Sequence, residues 1–227
     1  AQFELARRDL TAWPGLTETV RTSGQPLARR HAIRALTQIV RSHPGREELF
    51  EELSAAQRWL DDPDAGVVIE ACRLFGEALF TPAESTLRAR FRHPDSRVVA
   101  AAMLACSRYF HAFHQPRSAP LRFQASLGEK VYHNAPGFAQ PWLPRPQQSG
   151  SVTWPIVELR DALVRSAGRD PVITHAASVL VQEIASINPA NLFPGLASLT
   201  RHADRNVRIA VLLAQRRLLA PEVASFL

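Results

Sequence analysis

The sequence predicts an all-α chain of stacked antiparallel helix pairs, an α-solenoid carrying one long proline-rich insertion, and three observations lead there. An aspartate followed by apolar residues at +3, +6 or +7 and +10 recurs four times along the 227 residues. Two pairs of these copies are spaced as helical-pair repeats are, Asp64 to Asp95 by 31 residues and Asp170 to Asp204 by 34. Prolines stand at the expected helix starts, where a missing N–H costs nothing.

Each copy encodes a capped helix with one packing face. Pro63-Asp64-Ala65-Gly66-Val67-Val68 superposes on Pro94-Asp95-Ser96-Arg97-Val98-Val99, and the pattern returns as Asp170 with Ile173, Ala176, Ala177 and Leu180, and as Asp204 with Val207, Ala210, Val211 and Ala214. Those intervals place the apolar side chains on one helix face. The aspartate accepts hydrogen bonds from the first free N–H groups and suits the positive end of the helix dipole. Ala71, Ala101, Ala102, Ala176, Ala177 and Ala210 let a neighbouring helix approach closely. A weaker copy without the aspartate starts at Gln25-Pro26, with Ala28, Ala32, Ile33, Ala35 and Leu36 on its apolar face. Helices are expected near 14–22, 26–42, 46–60, 65–80, 82–92, 95–113, 155–167, 171–187, 191–202 and 205–219.

Between Asp95 and Asp170 lie 75 residues, two repeat lengths, yet they do not read as repeats. Residues 114–153 instead hold Pro116, Pro120, Pro136, Pro141, Pro144 and Pro146 with Gly128, Gly137 and Gly150, which blocks a long helix. A connection of that length is usually functional or disordered. Interleaved Phe123, Tyr132, Phe138 and Trp142 need apolar surroundings, which favours a segment laid on the solenoid or on a partner.

Asp62-Pro63-Asp64 with Val67, His93-Pro94-Asp95 with Arg97-Val98, and Asp204 with Val207-Arg208 resemble the HEAT-repeat family, in which the second helix of a pair follows such a turn. The resemblance covers the chain except for about 113–153. It implies one right-handed HEAT/armadillo-like solenoid over 1–227 and a role in binding proteins as a scaffold or complex subunit.

Composition is that of a folded globular chain, with 46% apolar and 21% charged residues. The net charge of +6 is nearly all guanidinium, because Lys130 is the only lysine. Such a bias reads either as phosphate or carboxylate recognition or as plain composition. Cys72 and Cys106 sit in apolar helical stretches as small buried hydrophobes, and no disulfide framework is indicated. No apolar run is long enough to cross a bilayer. The chain opens on Ala1 without methionine, which points to a processed form or a piece of something longer, and a cytoplasmic location is favoured over one reached by a removed signal peptide.

No motif supplies catalysis. Gly128-Glu129-Lys130-Val131-Tyr132 looks like a lead-in to a c-type haem module, but the Cys-x-x-Cys-His attachment is missing. His111 and His114 have helical i, i+3 spacing and His133 is near in sequence, but nothing completes a zinc set. Nucleophile elbows, zincin motifs and glycine-rich phosphate loops do not occur. Cofactors and metals are therefore not expected, and the reading leans away from an enzyme. HEAT-like scaffolds do include DNA glycosylases and chromophore lyases, yet Trp13, Trp59, Trp142 and Trp154 match no motif of theirs.

A protein-interaction scaffold, by itself or within a larger assembly, is the leading expectation. The candidate partner-binding residues are Phe123, Tyr132, Phe138 and Trp142 of the insertion and Arg92, Arg97, Arg205 and Arg208 along one edge. Nucleic acid bound along that arginine edge is the first alternative, and a lyase or DNA glycosylase on a HEAT-like scaffold the less favoured second.

Overall fold

The computed structural model describes residues 9–42, 49–114, 156–166, 170–187 and 199–217, and their regular structure is helical throughout. After a 3-10 turn at Asp9–Ala12 come α1 (Trp13–Thr22), α2 (Pro26–Ser42), α3 (Phe50–Ala56), α4 (Ala65–Ala78), α5 (Glu84–Ala89), α6 (Ser96–His114), α7 (Ile156–Ser166), α8 (Pro171–Ile187) and α9 (Arg205–Arg217). The expected insertion lies outside the described residues, apart from His114, which closes α6.

All four aspartates cap helices as the pattern requires. Asp64 Oδ1 accepts from Val67 N–H at 3.0 Å, Asp95 from Arg97 N–H at 2.9 Å, Asp170 from Val172 N–H at 2.9 Å and Asp204 from Asn206 N–H at 2.8 Å. A second device locks the turn two residues earlier. Asp62 Oδ1 accepts from Asp64 N–H at 2.8 Å, and His93 Nδ1 and His202 Nδ1 accept from the N–H of Asp95 and Asp204 at 3.0 Å. Ser23 Oγ does the same for Gln25 at 3.2 Å, so the weak fifth copy keeps the turn although it lacks the aspartate. Aspartate, serine and the neutral imidazole are interchangeable here because each offers one acceptor at the same reach.

Three expected helices differ in detail, for local reasons. The one expected at 46–60 tightens into a 3-10 turn at Gln57–Asp61, and the one at 82–92 splits into a 3-10 turn at Thr81–Ala83, then α5, then a 3-10 turn at Arg90–Arg92. Asp62 and His93 precede prolines and are extended, with ψ of 140° and 143°, so the last carbonyls are met by shorter-range bonds such as Asp62 N–H to Trp59 O and His93 N–H to Arg90 O. The helix expected at 65–80 stops at Ala78, because Leu79 takes the left-handed conformation, φ 51°. That costs about 1 kcal/mol in a non-glycine residue. Buried Phe80 repays it by packing on Phe50 and Phe75, with ring centroids 5.3 and 6.0 Å apart. The Tyr109 hydroxyl donates to the Phe75 and Phe80 carbonyls, each at 3.0 Å, and clamps the bend.

Packing follows a series: α2 lies on α4, α4 on α6, α6 on α8 and α8 on α9. The shorter α3 with its 3-10 extension, α5 and α7 back this row. α6 abuts α8 directly, and between them in the sequence the described residues add only α7, which backs the row. Small residues set the approach: Ala71, Ala102, Ala105, Ala176, Ala177, Ala210 and Ala214 are buried, while Ala101, expected among them, is half exposed.

Loss of one cap should be measurable. Asp95→Ala is expected to lower the unfolding free energy by about 1 kcal/mol in a urea titration. Its hydrogen-bonded Arg97 guanidinium holds the Asp95 carboxyl down at about 2, from an ordinary value of 3.8. The stabilisation is therefore present above pH 3.8 and disappears as pH falls toward 2, so the gap between variant and wild type should close over that interval.

Candidate interaction surface

The turns into α4, α6 and α8 lie side by side. Asp64 attracts Arg97 of the next turn, and the Ser96 hydroxyl bonds Asp170 of the one after and holds that carboxyl below its usual range. At Asp64 burial opposes ionisation, but the Arg30 guanidinium and the Val67 N–H outweigh it and lower the pKa. Arg30 grips Asp64 through Nε and Nη2 at 2.9 and 2.7 Å while lying flat on Gly66, where a Cβ would sit 2.1 Å from its Nε. A side chain at this position would displace the Arg30 guanidinium, the far end of a flexible side chain, from its place over Gly66.

The exposed faces of α2, α4 and α6 are joined by shared carboxylates. Glu70 Oε1 accepts from Arg34 Nη2 and Arg73 Nη1, each at 2.8 Å. One turn-pair further along, Glu77 Oε2 binds Arg41 Nε at 3.4 Å and Arg108 Nη1. The carboxylates are recessed, with Glu70 and Glu77 side chains 5% and 13% exposed, whereas Arg73 and Arg108 are 58% and 49% exposed. Hydrogen bonding to Glu70 raises the pKa of Arg34. Ile69 and Leu104 stand one turn before Arg73 and Arg108 on the same faces, the first half buried and the second exposed.

The sequence-predicted edge residues are placed differently. Arg92 and Arg97 flank the turn into α6, and Arg205 and Arg208 occupy the first turns of α9, with α8 packed between those two helices. Arg97 is held by Asp95 at 2.6 Å, and Arg208 donates to the His202 and Ala203 carbonyls at 2.7 Å. Arg92 and Arg205 are exposed. Close to Arg92 in the sequence, Arg88 pairs with Glu158 at 2.8 Å and Arg90 with Asp61 at 2.7 Å, both helping to join packed elements. Phe123, Tyr132, Phe138 and Trp142 lie outside the described residues, as do the side chains of His111, His114 and His133.

The pairings of Arg34, Arg41 and Arg108 escape sequence reasoning because their glutamates lie on a neighbouring helix; the local signals are the i, i+3 pair of Glu70 with Arg73 and the glutamate repeat at 70 and 77. A pocket of about 120 Å³ between α1 and the 3-10 turn after α3 joins Trp59 to Glu18 and Glu52. Both carboxylates are exposed, so it lacks the desolvated acid that tryptophan-lined catalytic pockets use. Among the described residues no three His, Cys, Asp or Glu side chains converge as metal ligands would, and no helix is long and apolar enough to cross a membrane. No protein-family model and no curated protein sequence matches the chain.

Proposed function

We propose that the chain is a right-handed HEAT-type solenoid acting as a protein-interaction scaffold, with the row of second helices as its contact surface and the 114–153 insertion as a specific element. The observation that carries the reading is the row itself. Helices α2, α4 and α6 keep adjacent outward faces, tied to one another through Glu70 and Glu77. A surface that crosses several helices without a deep cleft suits an extended macromolecular partner better than a small ligand.

A photo-crosslinking residue at exposed Leu104, on that face, and another at exposed Arg58, on the backing layer, test it in the native source. One protein species should crosslink from Leu104 and not from Arg58; equal yields from both sites would sink the proposal. Replacing residues 115–153 with a glycine-serine linker should leave the helical circular-dichroism signal intact, since α6 packs directly on α8, and should abolish that crosslink.

The arginine edge keeps nucleic acid as a second reading, supported by exposed Arg92 and Arg205. Binding to single or double strands that weakens steeply with salt would favour it.

A further inference from the structure

We infer that the outward face of α2, α4 and α6 seats an acidic segment of the protein partner, recognised by two guanidinium pairs, Arg34 with Arg73 and Arg41 with Arg108. The inference rests on the interaction-scaffold reading and names the chemistry of the partner.

Like charges are not normally brought together on a surface. Here each pair is drawn to a single carboxylate oxygen, Oε1 of Glu70 or Oε2 of Glu77. One carboxylate neutralises one of its two guanidiniums, so each pair keeps one surplus positive charge. With the glutamates recessed, solvent meets the cationic side. The guanidiniums are also pre-positioned, so little side-chain freedom is left to lose when an anion binds.

Spacing and polarity narrow the ligand. Arg34 and Arg41, like Glu70 and Glu77, are seven residues apart, which is about 10.5 Å along a helix axis. Two carboxylates about that far apart on a peptide match the two surplus charges. Ile69 and Leu104, one turn before Arg73 and Arg108 on the same faces, offer apolar contact beside the charged groups. A nucleic-acid backbone fits less well. A duplex carries a charge every ~1.7 Å and calls for a denser uncompensated row. The next arginines on this face, Arg30 and Arg97, are instead neutralised one to one by Asp64 and Asp95.

The test is selection of random displayed peptides on the full chain at low salt, repeated on Arg73→Gln/Arg108→Gln. Glutamine removes charge without setting a new anion against Glu70 and Glu77, and Arg34→Gln/Arg41→Gln serves as a second variant. Circular dichroism checks the fold of both. Enriched peptides should carry two or more Asp or Glu, lose at least about tenfold in affinity when those become Asn or Gln, and lose as much on either variant. Enrichment without acidic residues, no enrichment, unchanged binding to both variants, or displacement of the peptides by a lower concentration of oligonucleotide would each overturn the inference. A native partner crosslinked at Leu104 through a surface without acidic residues would overturn it too while leaving the scaffold reading standing.

Discussion

Gly76→Ala is expected to destabilise the protein by up to about 2 kcal/mol, although alanine is the better helix former by about 1 kcal/mol. A Cβ at Gly76 would sit 2.9 Å from the Cα of Ala105 and 3.1 Å from its Cβ. The nearer contact is backbone, which no rotamer change relieves, so α4 and α6 must move apart. That displacement loosens packing along the contact between them, where Val68, Cys72, Phe75, Ala102 and Cys106 are buried. The overpacking term, about 1–3 kcal/mol, outweighs the propensity gain. In a chain of this size the melting temperature should drop by about 2–4 °C for each kcal/mol. Ala105→Gly in the same chain should rescue only part of the loss, because it removes the 3.1 Å contact and leaves the 2.9 Å one. A Gly76→Ala protein that melts at or above the wild-type temperature would mean that α4 and α6 do not meet this closely.

That contact also marks where sequence stops being legible. Helix starts could be read because their causes are local: Asp64, Asp95, Asp170 and Asp204 each bond an N–H two or three residues ahead. The roles of Ser23, His93 and His202 are equally local and were obscured only by chemistry, since three unlike side chains supply one acceptor. The end of α4 is different. Nothing near Leu79 announces a left-handed residue, and its support comes from Tyr109 on a later helix. The same holds for the arginines. Runs in the sequence drew attention to Arg92, Arg97, Arg205 and Arg208, whereas the paired, half-exposed guanidiniums are scattered at 34, 41, 73 and 108 and gather only when three helices are in register. Periodicity reports which face is buried; it carries no information on which residue of the next helix lies opposite.

Alkaline pH should unfold the protein from its centre, beginning above pH 9. Cys72, Cys106 and Tyr109 are all buried where α4 meets α6, and burial pushes their ionisations up: the Cys72 thiol from 9.0 to about 12, and the Cys106 thiol and Tyr109 hydroxyl well above their ordinary values. These groups are neutral when protonated, so the folded state holds protons that the unfolded chain releases. Their stabilisation is fully present below the unfolded values and is lost as pH rises through them. Each group withdraws about 1.4 kcal/mol per pH unit, so Cys72 alone removes about 4 kcal/mol between pH 9 and 12. Against a usual total of about 5–15 kcal/mol that is enough, with its neighbours, to cross the midpoint. Circular dichroism and thiolate absorbance followed together, in reductant, should change in one transition, since a thiol this buried ionises only as the helices open. Cys72→Ala/Cys106→Ala leaves Tyr109 as the remaining buried acid of the three, and its alkaline midpoint should move up toward the tyrosine range. Thiolate absorbance rising near pH 9 with full helicity retained would place both cysteines in contact with water and remove the cause of the transition.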